Sequence, residues 1–178
     1  MHKLRANLSV GDRVRAESAA LKRLTGLIEL RRARCVMIYL SARGELDTFA
    51  LAGYLHGAGI SVCVPVTEGS DMRAAMLPPG GRLVSGALGI SVPENPVFIP
   101  AEQIDFCVTP LLAADARGNR IGWGKGYYDR FFEGFSGLKC GYCFDFQVIS
   151  SVPAGTEDKP LDYIVTDRRL IECAAEEQ

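Results

Sequence analysis

Residues 35–64 read CVMIYLSARGELDTFALAGYLHGAGISVCV. The run at 35–40 is rich in Val, Ile and Tyr and lacks strict alternation, as a strand buried on both faces should. A helix spanning roughly Asp47 to Leu55 follows, with Gly57 and Gly59 as candidates for its C-terminal cap. A second apolar run at 60–64 completes a strand–helix–strand unit. The same pattern recurs downstream, with apolar runs at 104–109, 138–144 and 162–166 and a helix starting near Tyr127 that includes Phe131 and Phe132. Such alternation predicts an α/β fold: a doubly wound, mostly parallel sheet with helices on both faces, a three-layer α/β/α arrangement. Ligands of that fold class sit beyond the carboxyl ends of the strands.

Upstream of this unit, Ser9 to about Arg34 reads as one long amphipathic helix. Ser9 with Asp12 makes a capping-box-like start, and Val14, Leu21, Leu24 and Ile28 recur at helical spacing. Arg31, Arg32 and Arg34 at its far end are better read as complementing the helix dipole than as an anion site. The stretch from Glu68 to Pro100 carries Pro78, Pro79, Pro93 and Pro96 and only short apolar pieces, so it reads as hairpin-like turns and loop flanking a pocket.

The chain has 178 residues, which makes a single domain over residues 1–178 the expectation. Lys plus Arg is 20 against 21 Asp plus Glu, a net charge of −1, so the basic footprint of a nucleic-acid binder is missing. No apolar run approaches the roughly 20 residues of a membrane helix. The N-terminus MHKLRANLSVGDRVR lacks the apolar core of a secretory signal. A cytoplasmic protein with no membrane or nucleic-acid partner is therefore expected, a monomer or failing that a dimer.

Four of the six cysteines (Cys35, Cys63, Cys107 and Cys140) lie in apolar, strand-like runs, where Cys behaves as a small buried hydrophobe. Cys140 and Cys143 form a C-x-x-C, yet an odd offset on a strand points the two side chains to opposite faces. With no second pair and no nearby His, zinc or redox chemistry is a poor fit. The two histidines are His2, near the terminus, and His56, in the expected helix. Neither has the setting of a catalytic triad, so any chemistry here should run without a catalytic histidine.

The densest chemical signal is Gly118-Asn-Arg-Ile-Gly-Trp-Gly-Lys-Gly-Tyr-Tyr-Asp-Arg130. Closely spaced glycines let backbone N–H groups approach an anion, since no Cβ stands in the way. Lys125 and Arg120 add positive charge, and the helix that follows would offer its positive dipole end. The loop therefore reads as a phosphate cradle. It is not a P-loop, because Asn119 and Gly126 occupy the places of the required Gly and Ser or Thr. Nor is it a dinucleotide fingerprint, which needs G-x-G-x-x-G after the first strand; a nicotinamide-dependent oxidoreductase would rest on G-x-G alone.

Arg120-Ile-Gly-Trp-Gly-Lys-Gly-Tyr-Tyr-Asp129 resembles the signature loop of the 5-formyltetrahydrofolate cyclo-ligases, also called methenyltetrahydrofolate synthetases. The resemblance runs along the chain through Leu4-Arg5, Tyr39-Leu-Ser, Glu45-Leu-Asp-Thr48, Val64-Pro65, Ile104-Asp105, Phe146-Gln147, Val152-Pro153, Asp158 with Asp162, and Ile164-Val-Thr166. It implies an ATP- and Mg2+-dependent enzyme converting 5-formyltetrahydrofolate to 5,10-methenyltetrahydrofolate: ATP phosphorylates the formyl oxygen, N10 attacks the activated carbon, and phosphate leaves. Phosphoryl transfer of this kind is mostly positioning and electrostatics and needs no histidine nucleophile.

Carried over by position, the resemblance implies that Arg120, Gly122, Gly124, Lys125 and Gly126, with Tyr127, Tyr128 and Arg5, hold the ATP phosphates. Lys125, Arg120 and Tyr127 are the implied catalytic set. Asp129 and Asp158 would hold magnesium; Leu40, Glu45, Trp123 and Tyr127 would meet the folate. Aligning Leu4-Arg5 puts Met1 where the family has a phosphate-binding Lys, with Lys3 two residues away. Pro110-Leu-Leu-Ala-Ala-Asp115 replaces the common Pro-Gly-x-x-Phe-Asp, and Glu157 stands where a His commonly precedes the late Asp. These departures leave open a nucleotide- or folate-binding paralogue with an accessory or different ligase role.

Overall fold

In the computed structural model, which describes residues 1–86 and 89–173, the unit at 35–64 forms the middle of an eight-stranded sheet. Two helices, α1 (His2–Ala6) and α2 (Val10–Leu30), precede β1 (Cys35–Met37), α3 (Phe49–Gly57) and β2 (Ser61–Glu68). Then come β3 (Asp71–Met76), β4 (Leu83–Ser85), β5 (Ser91–Pro93), β6 (Phe98–Ile99), β7 (Phe106–Thr109), β8 (Ala113–Ala114) and β9 (Arg120–Ile121). The chain continues through α4 (Tyr127–Phe131), β10 (Leu138–Tyr142), β11 (Tyr163–Val165) and β12 (Leu170–Glu172). Strand order is β12-β11-β10-β7-β1-β2-β3-β6. The five strands from β11 to β2 are mutually parallel, and β12, β3 and β6 add antiparallel edges. The mostly parallel α/β fold read from the sequence is the fold observed. Among the described residues, no helix is long and apolar enough to cross a membrane.

The central strands are apolar throughout because both their faces are covered. Val36, Ile38, Val62, Val64, Phe106 and Val108 pack with Leu24 and Ile28 of α2 and Leu51 and Leu55 of α3. The residues between them, Met37, Cys63 and Cys107, face the opposite way, onto Ile104, Phe132 and Phe135. The two layers are unequal: one carries the long helices, the other a five-residue helix and the loop after it. Cys140 joins the first cluster and Cys143 a third one beside Leu111 and Leu161.

Several boundaries move relative to the sequence reading: α3 runs Phe49–Gly57 rather than from Asp47 to Leu55, so Gly57 lies inside it and Ala58 is its C-cap. Ser9 does cap α2, its Oγ accepting the Asp12 N–H at 3.1 Å, but the helix ends at Leu30 rather than near Arg34. Its inward stripe is Ala16, Ala20, Leu24 and Ile28, and Val14 is 60% exposed because it lies about 200° round the helix from Ala16, off that stripe. The stretch from Glu68 to Pro100 is more ordered than turns and loop. β2 runs through Pro65 to Glu68 and folds back as β3, and β6 pairs with β3 at the sheet edge. Proline is tolerated because β1 pairs only with Ser61–Cys63, which leaves β2 one neighbour beyond that point.

Candidate functional site

Beyond the carboxyl ends of β1, β2 and β7 lies a cavity of about 590 Å³, within the range of small-molecule sites. One wall is the segment from Arg120 to Asp129, another the turn carrying Leu40 and Glu45. Thr67 and Met72 of the β2–β3 hairpin and Ile90 and Val92 of the β4–β5 hairpin complete it, so the proline-rich stretch does flank the pocket.

The glycine-rich wall is carried by β8 and β9. Its base is anchored by Gly118 (φ 89°), where a Cβ would lie 2.3 Å from the Leu161 carbonyl oxygen, so that glycine is structural. Gly122 differs: it has no positive φ, and a Cβ there would meet nothing within 4 Å. Neither strain nor packing asks for a glycine at 122, which leaves this part of the wall open to the cavity. Helix α4 has five residues, too few for a strong macrodipole. Positive charge at this wall therefore comes from side chains.

Lys125 is exposed on the wall, whereas Arg120 has its side chain 7% exposed and pairs with Asp129 at 2.7 Å. Asp129 also accepts the Lys159 N–H at 3.4 Å, and Asp158 accepts the Gly155 N–H at 2.7 Å. The Tyr127 hydroxyl donates to the Gly69 carbonyl at 2.9 Å, tying the loop to the hairpin tip between β2 and β3. Burial, with smaller contributions from Cys107 and Glu45, pushes the Tyr128 phenol well above its usual range, which keeps it a neutral donor.

Glu45 sits at the opposite wall. Its Oε2 accepts the Ala42 N–H at 3.1 Å, and the Trp123 side chain hydrogen-bonds to it. The Arg43 guanidinium stacks over Trp123, 4.7 Å from the ring centroid. Burial raises the Glu45 pKa above the usual carboxylate range; the Ala42 N–H, Arg5, Trp123 and Arg43 pull the other way and do not fully offset it.

Twelve of the thirteen expected site positions line this one cavity; Arg5 does not. Arg5 is 2% exposed, its Nη2 donating to the Leu111 carbonyl at 2.6 Å and its Nε to Gln147 Oε1 at 3.2 Å. Its Nη1 is sealed from solvent and has no partner among the described residues. Met1 and Lys3 are both exposed and lie off the cavity. Sequence reading missed Gln147 as the hub of this contact: fully buried, it also donates to the carbonyls of Leu111 and Leu112 at 2.8 and 3.1 Å. A lone amide in the apolar run CFDFQVI was the available signal.

Asp129 and Asp158 are the carboxylates facing the glycine loop, and the described residues hold no group of three or more His, Cys, Asp or Glu fit for a metal. Two carboxylates suit magnesium, which takes its other ligands from phosphates and water. They do not suit zinc, which asks for three or four protein ligands.

Residues 1–167 match the family described as the 5-formyltetrahydrofolate cyclo-ligase family. The chain is 34% identical over 148 residues to the 5-formyltetrahydrofolate cyclo-ligase of Escherichia coli K12, covering 79% of this chain and 81% of that one. It is 30% identical over 169 residues to the Haemophilus influenzae enzyme of the same name, covering 90% of each. Its fold is similar to that of the 5,10-methenyltetrahydrofolate synthetase of Aquifex aeolicus, with a TM-score of 0.86 and 30% identity over 99% of this chain and 91% of that one.

Proposed function

We propose, from the premise that this chain belongs to the 5-formyltetrahydrofolate cyclo-ligase family, that it converts 5-formyltetrahydrofolate to 5,10-methenyltetrahydrofolate at the expense of ATP. Lys125, Arg120 and the backbone around Gly122, Gly124 and Gly126 hold the triphosphate, with Tyr127 and Tyr128 closing that side. Glu45, Leu40 and Trp123 receive the folate, the carboxylate accepting N–H groups of the pterin ring. Transfer of the terminal phosphoryl group from ATP to the formyl oxygen, with release of ADP, makes the formyl carbon electrophilic; N10 then adds to it and gives up its proton, and loss of phosphate leaves the methenyl bridge. Asp129 and Asp158 would hold magnesium, which when bound supplies charge neutralisation at the transferred phosphoryl group. Arg5, bonded to Leu111 and Gln147 off the cavity, would join the phosphate contacts only if its buried, unpartnered Nη1 were brought to the ligand. In this reading the chain acts in the cytoplasm as a single domain, as a monomer or failing that a dimer.

The observation that carries the proposal is that Glu45 and the glycine loop open onto one cavity, where the loop's Trp123 hydrogen-bonds to Glu45. Two ligands could thus meet there with their reacting groups in contact. The test is release of ADP and phosphate by the purified protein: both should appear only when ATP–magnesium and 5-formyltetrahydrofolate are present together. ATP hydrolysis indifferent to the folate would sink the reading.

A second reading keeps the site and drops the reaction, leaving a nucleotide- or folate-binding paralogue with an accessory or different ligase role. It is favoured by Met1 and Lys3 lying away from the cavity and by Arg5 being engaged elsewhere. Calorimetry showing tight binding of either ligand, with no turnover when both are mixed, would select it.

A further inference from the structure

Arg130 is absent from the expected site residues and from the cavity lining, yet four separate contacts converge on it. Its Nε and Nη2 both donate to the Ser70 carbonyl, at 3.1 and 2.5 Å. Nη2 also donates to the carbonyl of Lys125 itself, at 2.9 Å. The guanidinium lies over the Tyr127 ring, 5.4 Å from its centroid. A Cβ at Gly126 (φ 65°) would come within 2.8 Å of Arg130 Nη1, so the glycine leaves the slot that this guanidinium fills.

We infer that Arg130 is a positioning residue that fixes where the Lys125 ammonium points. The inference rests on the reading of Lys125 as a phosphate ligand. A lysine on a glycine-flanked loop has little to define its backbone: Gly124 and Gly126 on either side lack the Cβ that narrows φ and ψ. The hydrogen bond to the Lys125 carbonyl supplies that definition, and the paired bond to Ser70 fastens it to the β2–β3 hairpin. The adjoining Tyr127–Gly69 bond reinforces the same junction. That hairpin is an extension of the main sheet, so Lys125 is referenced to the sheet rather than to a free loop. Arginine suits this role because Nε and Nη2 lie on one rigid plane, so the bonds to Ser70 and Lys125 fix a single orientation, which a flexible lysine ammonium does not.

A residue acting through Lys125 should have no effect once Lys125 is gone. ATP–magnesium affinity and turnover are therefore compared in wild type, R130A, K125A and the double variant. Misplacing a catalytic group by about 1 Å can cost up to roughly a hundredfold, so R130A is expected to lower kcat/KM for ATP by roughly ten- to a hundredfold. In the K125A background the further loss should be under about twofold, since coupled residues are not additive. R130K should fall between wild type and R130A, and its loss should likewise vanish in the K125A background. Equal losses in both backgrounds, or no loss at all, would overturn the inference. Should R130A fold poorly, R130K carries the same comparison. If wild type shows no folate-dependent turnover, the functional reading fails separately, and calorimetric ATP binding by the four proteins still decides whether Arg130 acts through Lys125.

Discussion

Two carboxylates at the carboxyl-end side of the sheet have opposite settings. Asp115, in the turn between β8 and β9, is 1% exposed and accepts hydrogen bonds from the N–H groups of Val152, Arg117 and Asn119 and from the Asn119 amide. Burial alone would raise its pKa, but these donors outweigh burial and hold it below the usual carboxylate range. Glu45 has the Ala42 N–H and the Trp123 side chain, and burial prevails, leaving its pKa raised. A carboxylate saturated by its own fold fastens structure, here the glycine-loop hairpin to the segment leading to Asp158. One left short of donors on a cavity wall has acceptor capacity to give a ligand.

The contrast breaks first, and by the largest margin, at Asp115. Asp115→Ala strands the buried Val152 N–H and loosens the turn, and unsatisfied buried donors cost roughly 1–3 kcal/mol each. A loss of about 3 kcal/mol in unfolding free energy by urea titration is expected. A loss below about 1 kcal/mol would show that the turn holds without it. Glu45→Gln should do the reverse. It exchanges an acceptor for a donor facing a ring N–H, weakening folate binding about tenfold or more, as loss of a charged hydrogen bond does. ATP affinity should stay within about twofold, and the thermal midpoint should rise slightly because a buried charge has been removed. Collapse of ATP binding with intact folate binding would mean the two walls have been assigned the wrong way round.

Asp129 is the intermediate case, only partly exposed and already paired with Arg120. Asp129→Asn keeps an acceptor for Arg120 and removes the charge, so the magnesium concentration needed for half-maximal activity should rise several-fold while folate binding survives. An unchanged requirement would remove Asp129 from the metal site.

The smallest effects are those of pH, and their signs differ. A depressed pKa contributes stability that is present above the unfolded value of about 4 and lost as pH falls through the folded value, so Asp115 should sharpen acid unfolding. A raised pKa works the other way: ionised Glu45 costs stability above its folded pKa, and that cost fades as pH falls. Folate affinity should decline on acidification at a higher pH than an ordinary glutamate would give, and Glu45→Gln should flatten the profile. An identical profile in that variant would assign the titration to another group.

The glycine loop was legible because its chemistry is local: Lys, Arg and Asp within ten residues of four glycines can be read without knowing the fold. The central strands were legible for the related reason that burial on both faces removes alternation. β3 was not, because a strand whose first half, with Asp71 and Arg73, has β2 as its only neighbour, and which follows a proline-containing strand, has the composition of a loop. Arg5 illustrates a further limit. A motif places it with the phosphate ligands, yet its bonds to Leu111 and Gln147 depend on residues 106 and 142 positions away, which spacing cannot reveal. Arg130 was hidden for the same reason, since its partner Ser70 lies 60 residues upstream.

The most direct test follows the absorbance of the methenyl product formed from 5-formyltetrahydrofolate by wild type and by Lys125→Ala, each with and without ATP–magnesium. The expected result is product from wild type only when ATP is present, formed roughly a hundredfold faster than by the variant, as loss of one charge-stabilising contact implies. A folded wild type that binds both ligands and forms no product, or a variant that forms it at the wild-type rate, would contradict it.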